Sequence, residues 1–123
     1  LIDTERRAKR TATALLADIL CVIVFCTIGR RSHAEGLTVT GIAQTAWPFL
    51  AGTLVGWVLI RGWRKPYTVI PTGVAVWICT VLVGMLLRKA TSAGVQTSFV
   101  VVASVVTAVL LLGWRSVAAM VRR

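Results

Sequence analysis

Apolar residues in this chain neither alternate with polar ones nor recur once per helical turn. They run on in four blocks, roughly Thr13–Gly29, Gly41–Ile60, Thr72–Leu87 and Val95–Trp114, separated by short connectors rich in Arg and Lys. A helix rises ~1.5 Å per residue and a hydrocarbon core is ~30 Å thick, so one crossing takes ~17–25 apolar residues. Each block meets or nearly meets that length. The pattern predicts an all-α, polytopic membrane protein of four transmembrane helices, with residues 1–123 forming a single integral membrane domain. No connector is long enough to hold a second, globular one.

Small residues punctuate the blocks. Gly41, Thr45, Pro48, Gly52 and Gly56 follow one another at spacings of four, three, four and four, which draws a single stripe along the second helix. The third carries Gly73, Trp77, Thr80 and Gly84, and the fourth Ser104 and Ala108. Membrane helices gain no hydrophobic energy by meeting one another, so close backbone approach along such stripes is what packs them. Gly52, Gly56, Gly73 and Gly84 are therefore the expected packing positions of a four-helix bundle. Pro48 is expected to bend the second helix, and Pro71 to open the third at a position where its missing N–H costs nothing. Trp57, Trp63 and Trp114 fall near helix ends, where an indole suits the head-group level. Trp47 and Trp77 fall deeper and are expected between helices, each seeking an acceptor for its N–H.

Composition agrees with a lipid setting. Hydrophobic residues make up 57% of the chain and mean hydropathy is +0.83, against about 45–50% apolar residues in soluble domains. A soluble domain of this size leaves too much surface exposed to hide that many. The net charge of +10 would suggest nucleic acid on a soluble protein. Here the basic residues are tied to the membrane plane, and nothing resembles a base-stacking platform, so no nucleic-acid partner is expected. The N-terminus holds four Lys and Arg, the second connector three and the C-terminus three, ten in all; the first and third connectors hold two each. Four crossings put the first set on one side, and the positive-inside rule places both termini in the cytoplasm. The expected location is the cell's inner (plasma) membrane, with the bilayer itself, and anionic lipids in particular, as partners.

The first block has the basic flank of a signal peptide in Arg6, Arg7, Lys9 and Arg10. However, Arg30–Arg31 stands where a small-residue cleavage site belongs and Asp18 interrupts the apolar run, so it reads as a retained helix. The segment Thr4–Thr13 before it is expected to lie in the interface. Cys21, Cys26 and Cys79 all fall inside blocks and their number is odd, so no disulfide framework is implied. No metal and no cofactor is expected.

A shift of 58 positions carries Ala17 to Ala75, Cys21 to Cys79, Arg30–Arg31 to Arg88–Lys89 and Gly36 to Gly94. One residue less carries Gly56–Trp57 to Gly113–Trp114. This suggests a tandem helical-hairpin repeat, with the halves related by an axis along the membrane normal. Asp18 falls opposite Val76 and so belongs to one half only.

Asp18 is the one ionisable residue inside a block, and such residues face the bundle and find a partner. Its helical face includes Cys21, Val22, Phe25 and Gly29. Thr72, Thr107 and the indoles of Trp57 and Trp77 are at similar depth, and no Lys or Arg stands plainly within reach unless Arg61 snorkels inward. Asp18, Trp77 and Thr80 form the candidate intramembrane polar site. One reading makes it a protonatable station on an ion path; the plainer one makes it a hydrogen-bonded device that fixes packing. A second cluster, Arg30, Arg31 and His33 with Arg88 from the matching loop, forms a candidate outer anion or lipid site; the plainer reading makes it a helix C-terminus followed by a solvated turn. His33 is the only histidine, the side chain suited to changing charge near neutral pH. There is no nucleophile elbow, no HExxH, no phosphate-binding Gly loop and no pair of carboxylates. An enzyme is not expected, and no catalytic residue is assigned.

Several runs carry a family resemblance. They are Asp18-Ile-Leu-Cys-Val-Ile-Val-Phe, Ile28-Gly-Arg-Arg-Ser-His33, Thr45-Ala-Trp-Pro-Phe-Leu50, Pro71-Thr-Gly-Val-Ala-Val-Trp77, Gly84-Met-Leu-Leu-Arg88 and Leu112-Gly-Trp-Arg115. Together they resemble an actinobacterial membrane family catalogued as domain of unknown function 3054, over nearly the whole stretch from Asp18 to Arg115. The resemblance implies a small four-helix inner-membrane protein and brings no activity with it. Three roles are compatible with the residues: a non-enzymatic accessory or scaffold component, docked against itself as a homo-oligomer or against a larger membrane complex; a small homo-oligomeric transporter or channel using Asp18; and an envelope lipid-binding protein.

Overall fold

The computed structural model describes residues 2–32, 37–91 and 97–121. Helix α1 spans Ile2–Ser32, α2 Val39–Ile60, α3 Val74–Ala90 and α4 Thr97–Val121. All four, with α3 extended back through the wide turn Val69–Gly73, are long and apolar enough to cross a membrane. The protein is an all-α, multi-pass membrane protein.

Two helices outrun their apolar blocks. The segment expected to lie in the interface is instead the first third of α1. Between Ile2 and Ile28 the chain has neither Gly nor Pro and is rich in Ala, Leu and Arg, which favour continuation. Asp3 and Glu5 in the first turn also complement the helix dipole. At 31 residues, α1 is about 46 Å long and must project beyond the hydrocarbon core. Likewise α4 does not stop at Trp114 but continues to Val121, so Arg115, counted above as a tail cation, lies inside a helix.

The outward faces are apolar stripes of period four: Leu16, Leu20, Val24 and Ile28 on α1; Ile78, Leu82 and Leu86 on α3; Val101, Val105 and Val109 on α4. The inward faces hold the polar side chains, and Asp18, Thr53, Thr72, Thr80, Thr107 and Arg115 are all buried. This inversion suits a lipid solvent. The most extensive helix pairing is α2 against α3. A Cβ on Gly52 would fall 2.5 Å from the Cys79 carbonyl oxygen, and one on Gly56 2.9 Å from the Val76 Cα. At the end near the first and third connectors, Phe25, Phe49 and Phe99 close the core with ring centroids 5.3–6.2 Å apart. Gly84 makes room for Phe49, whose ring lies 2.5 Å from where a Cβ would be. Helix α2 runs unbroken through buried Pro48. Trp47, expected between helices, is 46% exposed: it faces away from the Ala46–Phe49 side that packs inward.

Helix α2 ends on a left-handed residue, Arg61 (φ 52°, ψ 58°), whose N–H reaches back to the Trp57 and Val58 carbonyls. Glycine is the usual occupant of such a cap because a Cβ is strained there. Arg61→Gly is expected to raise stability by about 0.5–1 kcal/mol, read as a higher thermal midpoint in detergent. A fall would mean that the arginine side chain, not the backbone turn, holds this end.

Candidate functional site

Asp18 has a cation. Both Asp18 and Arg115 are completely buried, and the guanidinium grips the carboxylate with two parallel bonds: Nη1 donates to Oδ1 at 2.8 Å and Nη2 to Oδ2 at 2.8 Å. The expectation that no Arg or Lys lies within reach is thereby corrected. The fourth apolar block ends at Trp114, but the helix continues, and the very next residue, Arg115, falls on its inward face. Ala103, Thr107, Leu111 and Arg115 recur every four residues and are all buried, a stripe that extends beyond the apolar block and is the signal that could have revealed it. Arg61 does not snorkel; it is exposed and caps α2.

Two indoles complete the cluster. Trp57 Nε1 donates to Oδ2 and Trp114 Nε1 to Oδ1, each at 2.8 Å. Each carboxylate oxygen therefore accepts two bonds, one from guanidinium and one from indole. These tryptophans, expected at the head-group level, instead turn their N–H groups inward; Trp57 is only 4% exposed. Trp63 does face outward, at 50% exposure. Arg115 is held beyond the ion pair as well: Nε donates to the Pro66 carbonyl at 3.1 Å and Nη1 to the Leu111 carbonyl at 3.2 Å. Its guanidinium carbon also lies 4.5 Å from the Trp114 ring centroid, within cation–π range.

The connector between α2 and α3 forms a roof over this cluster. Gly62 lies flat on the Trp57 ring, with no space for a Cβ, and Gly73 sits under the Arg115 stem. Thr72 Oγ1 donates to the Lys65 carbonyl at 2.7 Å and fixes the loop across its own mouth. Tyr67 meets the Trp114 ring edge to face at 5.5 Å.

The other sequence-derived site residues lie elsewhere. Thr80 shares a 2.7 Å hydrogen bond with Thr53 at the α2–α3 crossing, and Trp77 donates to the Ser104 carbonyl at 2.9 Å. Neither touches Asp18, so the proposed trio is not one site. Thr107 bonds within its own helix, to the Ala103 carbonyl. At the far end Arg30 Nη1 donates to Thr45 at 3.0 Å and its guanidinium occupies the notch left by Gly41. Arg88 lies over the Phe99 ring, 4.4 Å from its centroid. The 58-residue shift that carries Arg30 to Arg88 also carries Gly41 to Phe99, so each arginine crosses to the equivalent point on the helix that follows it. Each is engaged within its own hairpin. Arg31 lies in the last turn of α1, and His33 lies outside the described residues.

Chemically, the Asp18 cluster is a closed polar knot. Its carboxylate is occupied on both oxygens, and among the described residues no buried side-chain nitrogen or oxygen lacks a partner. A family model described as "Protein of unknown function (DUF3054)" matches residues 15–118, a span that contains Asp18, Trp57, Trp114 and Arg115. No curated protein and no solved structure matches the chain.

Proposed function

The chain belongs to the DUF3054 family, and from its closed polar knot we propose that it works as a non-enzymatic accessory or scaffold component of the plasma membrane. The observation that carries this reading is the fourfold coordination of Asp18 by Arg115, Trp57 and Trp114. A proton-relay carboxylate must exchange its proton with water or a neighbouring carrier. This one is completely buried, and both of its oxygens are taken up by guanidinium and indole donors. Such a group ties helices together rather than passing ions between them. The outward apolar stripes then supply a rigid surface to lipid and to neighbouring membrane proteins. Both termini and the roof connector face the cytoplasm, following the nine-to-four distribution of the Lys and Arg that remain once buried Arg115 is set aside.

Purified protein in proteoliposomes is expected to give proton and cation flux equal to that of empty vesicles. Gentle detergent extraction of native membranes is expected to yield it in stoichiometric complex with another membrane protein. A protein-dependent, saturable flux, or a chain that emerges alone under every mild extraction, would overturn the scaffold reading.

A further inference from the structure

Beyond the hydrocarbon core, the projecting third of α1 runs beside the roof connector without closing against it. Between them lies a groove of about 810 Å³, within the ~300–1,000 Å³ range of small-ligand sites. One wall is α1, through Thr4, Arg7, Arg10 and Thr11; the other is the connector, through Trp63 and Arg64. Positions 4, 7 and 11 share one helical face, so this wall is a consistent surface and not a scatter of tail residues. The groove is fixed at its inner end, where Thr11 Oγ1 reaches the Trp63 carbonyl at 3.5 Å. Arg10 is set in place 5.0 Å over the Tyr67 ring, and Tyr67 in turn abuts Trp114 of the buried knot.

We propose that this groove binds the phosphate-bearing head group of an anionic phospholipid from the leaflet into which the roof faces. Three guanidinium groups, Arg7, Arg10 and Arg64, line one groove, and no carboxylate is among its described lining residues. Arginine is the side chain suited to bidentate contact with phosphate oxygens. Trp63, half exposed on the rim, is an amphipathic side chain suited to the depth of a lipid glycerol. The groove ends about one turn before the apolar stripe of α1 begins at Leu16, so a lipid can place its head group among the arginines while its acyl chains remain beside that stripe. A soluble phosphate ester would gain only the first half of that arrangement. The site is independent of the scaffold reading, which survives its loss.

The test is native mass spectrometry of the full chain titrated with phosphatidylglycerol. The triple variant Arg7→Gln/Arg10→Gln/Arg64→Gln is compared with a charge-matched control, Arg6→Gln/Lys9→Gln/Lys65→Gln, whose positions are exposed and lie off the groove. The wild type is expected to hold one lipid per chain. The groove triple is expected to bind about a hundredfold more weakly, with the control within about fivefold of wild type. Equal losses in the two triples would reduce the effect to diffuse surface charge and overturn the site. Glycerol 3-phosphate binding as tightly as the lipid would overturn the lipid assignment in favour of a soluble ester. Should the groove triple unfold, Arg64→Gln alone must still weaken the lipid relative to Lys65→Gln, and equal binding by those two would also overturn it.

Discussion

Arg115→Met, which leaves the Asp18 carboxylate buried without its cation, is expected to lower unfolding free energy by about 3–5 kcal/mol. Asp18→Leu strands the guanidinium instead and is expected to cost a similar amount. It also deprives two indole N–H groups of their acceptor, at about 1–3 kcal/mol each. The pair changed together loses both charges at once. The double variant should therefore be more stable than the summed losses predict, by about 2 kcal/mol or more. Reversible unfolding in mixed detergent–SDS micelles, followed by helical circular dichroism, measures all three. Strictly additive losses would mean that the two side chains do not act as a unit, and the closed-knot description would fail.

The second large effect belongs to Gly52. An added methyl there meets the Cys79 carbonyl oxygen at 2.5 Å and the Thr80 Cα at 2.9 Å. Both are backbone atoms of α3, so no side-chain rotation relieves the contact and the helices must part. Gly52→Ala is expected to cost about 2–3 kcal/mol, despite the better helix propensity of alanine. Gly29→Ala and Gly113→Ala place the same methyl where nothing lies within 4 Å, and both should leave stability unchanged or raise it by up to about 1 kcal/mol. The same detergent titration compares the three. A uniform response would contradict the close α2–α3 approach.

The four crossings were legible because lipid exposure imposes long apolar runs, a signal that needs no knowledge of packing. The helix ends were less so. Polar, helix-favouring residues continue α1 beyond its apolar block, and in α4 the pair Arg115–Ser116 breaks the apolar run while the helix goes on to Val121. That difference concealed the main feature of the interior. Asp18 stood out as an ionisable residue within a block, but Arg115 sat one residue past an apolar run and looked like an orientation signal. Trp57 and Trp114 were misplaced for a related reason: an indole near a helix end suits an interface or an inward hydrogen bond equally, and only the position of the carboxylate decides between them. Thr80 and Trp77 were legible as inward-facing positions. Which partner each would take depends on how the helices cross, and hydropathy carries no trace of that.

Asp18 and Arg115 are 97 positions apart in the chain, and this separation bears on how the protein is made. A ribosome adding about 5–20 residues per second needs about 5–20 s to pass from one to the other. Throughout that interval the first helix carries an acidic group whose counter-charge has not yet been synthesised. The knot can close only when α4 arrives, so the N-terminal hairpin first exists without it. Closure of the bundle is thereby tied to the synthesis of α4.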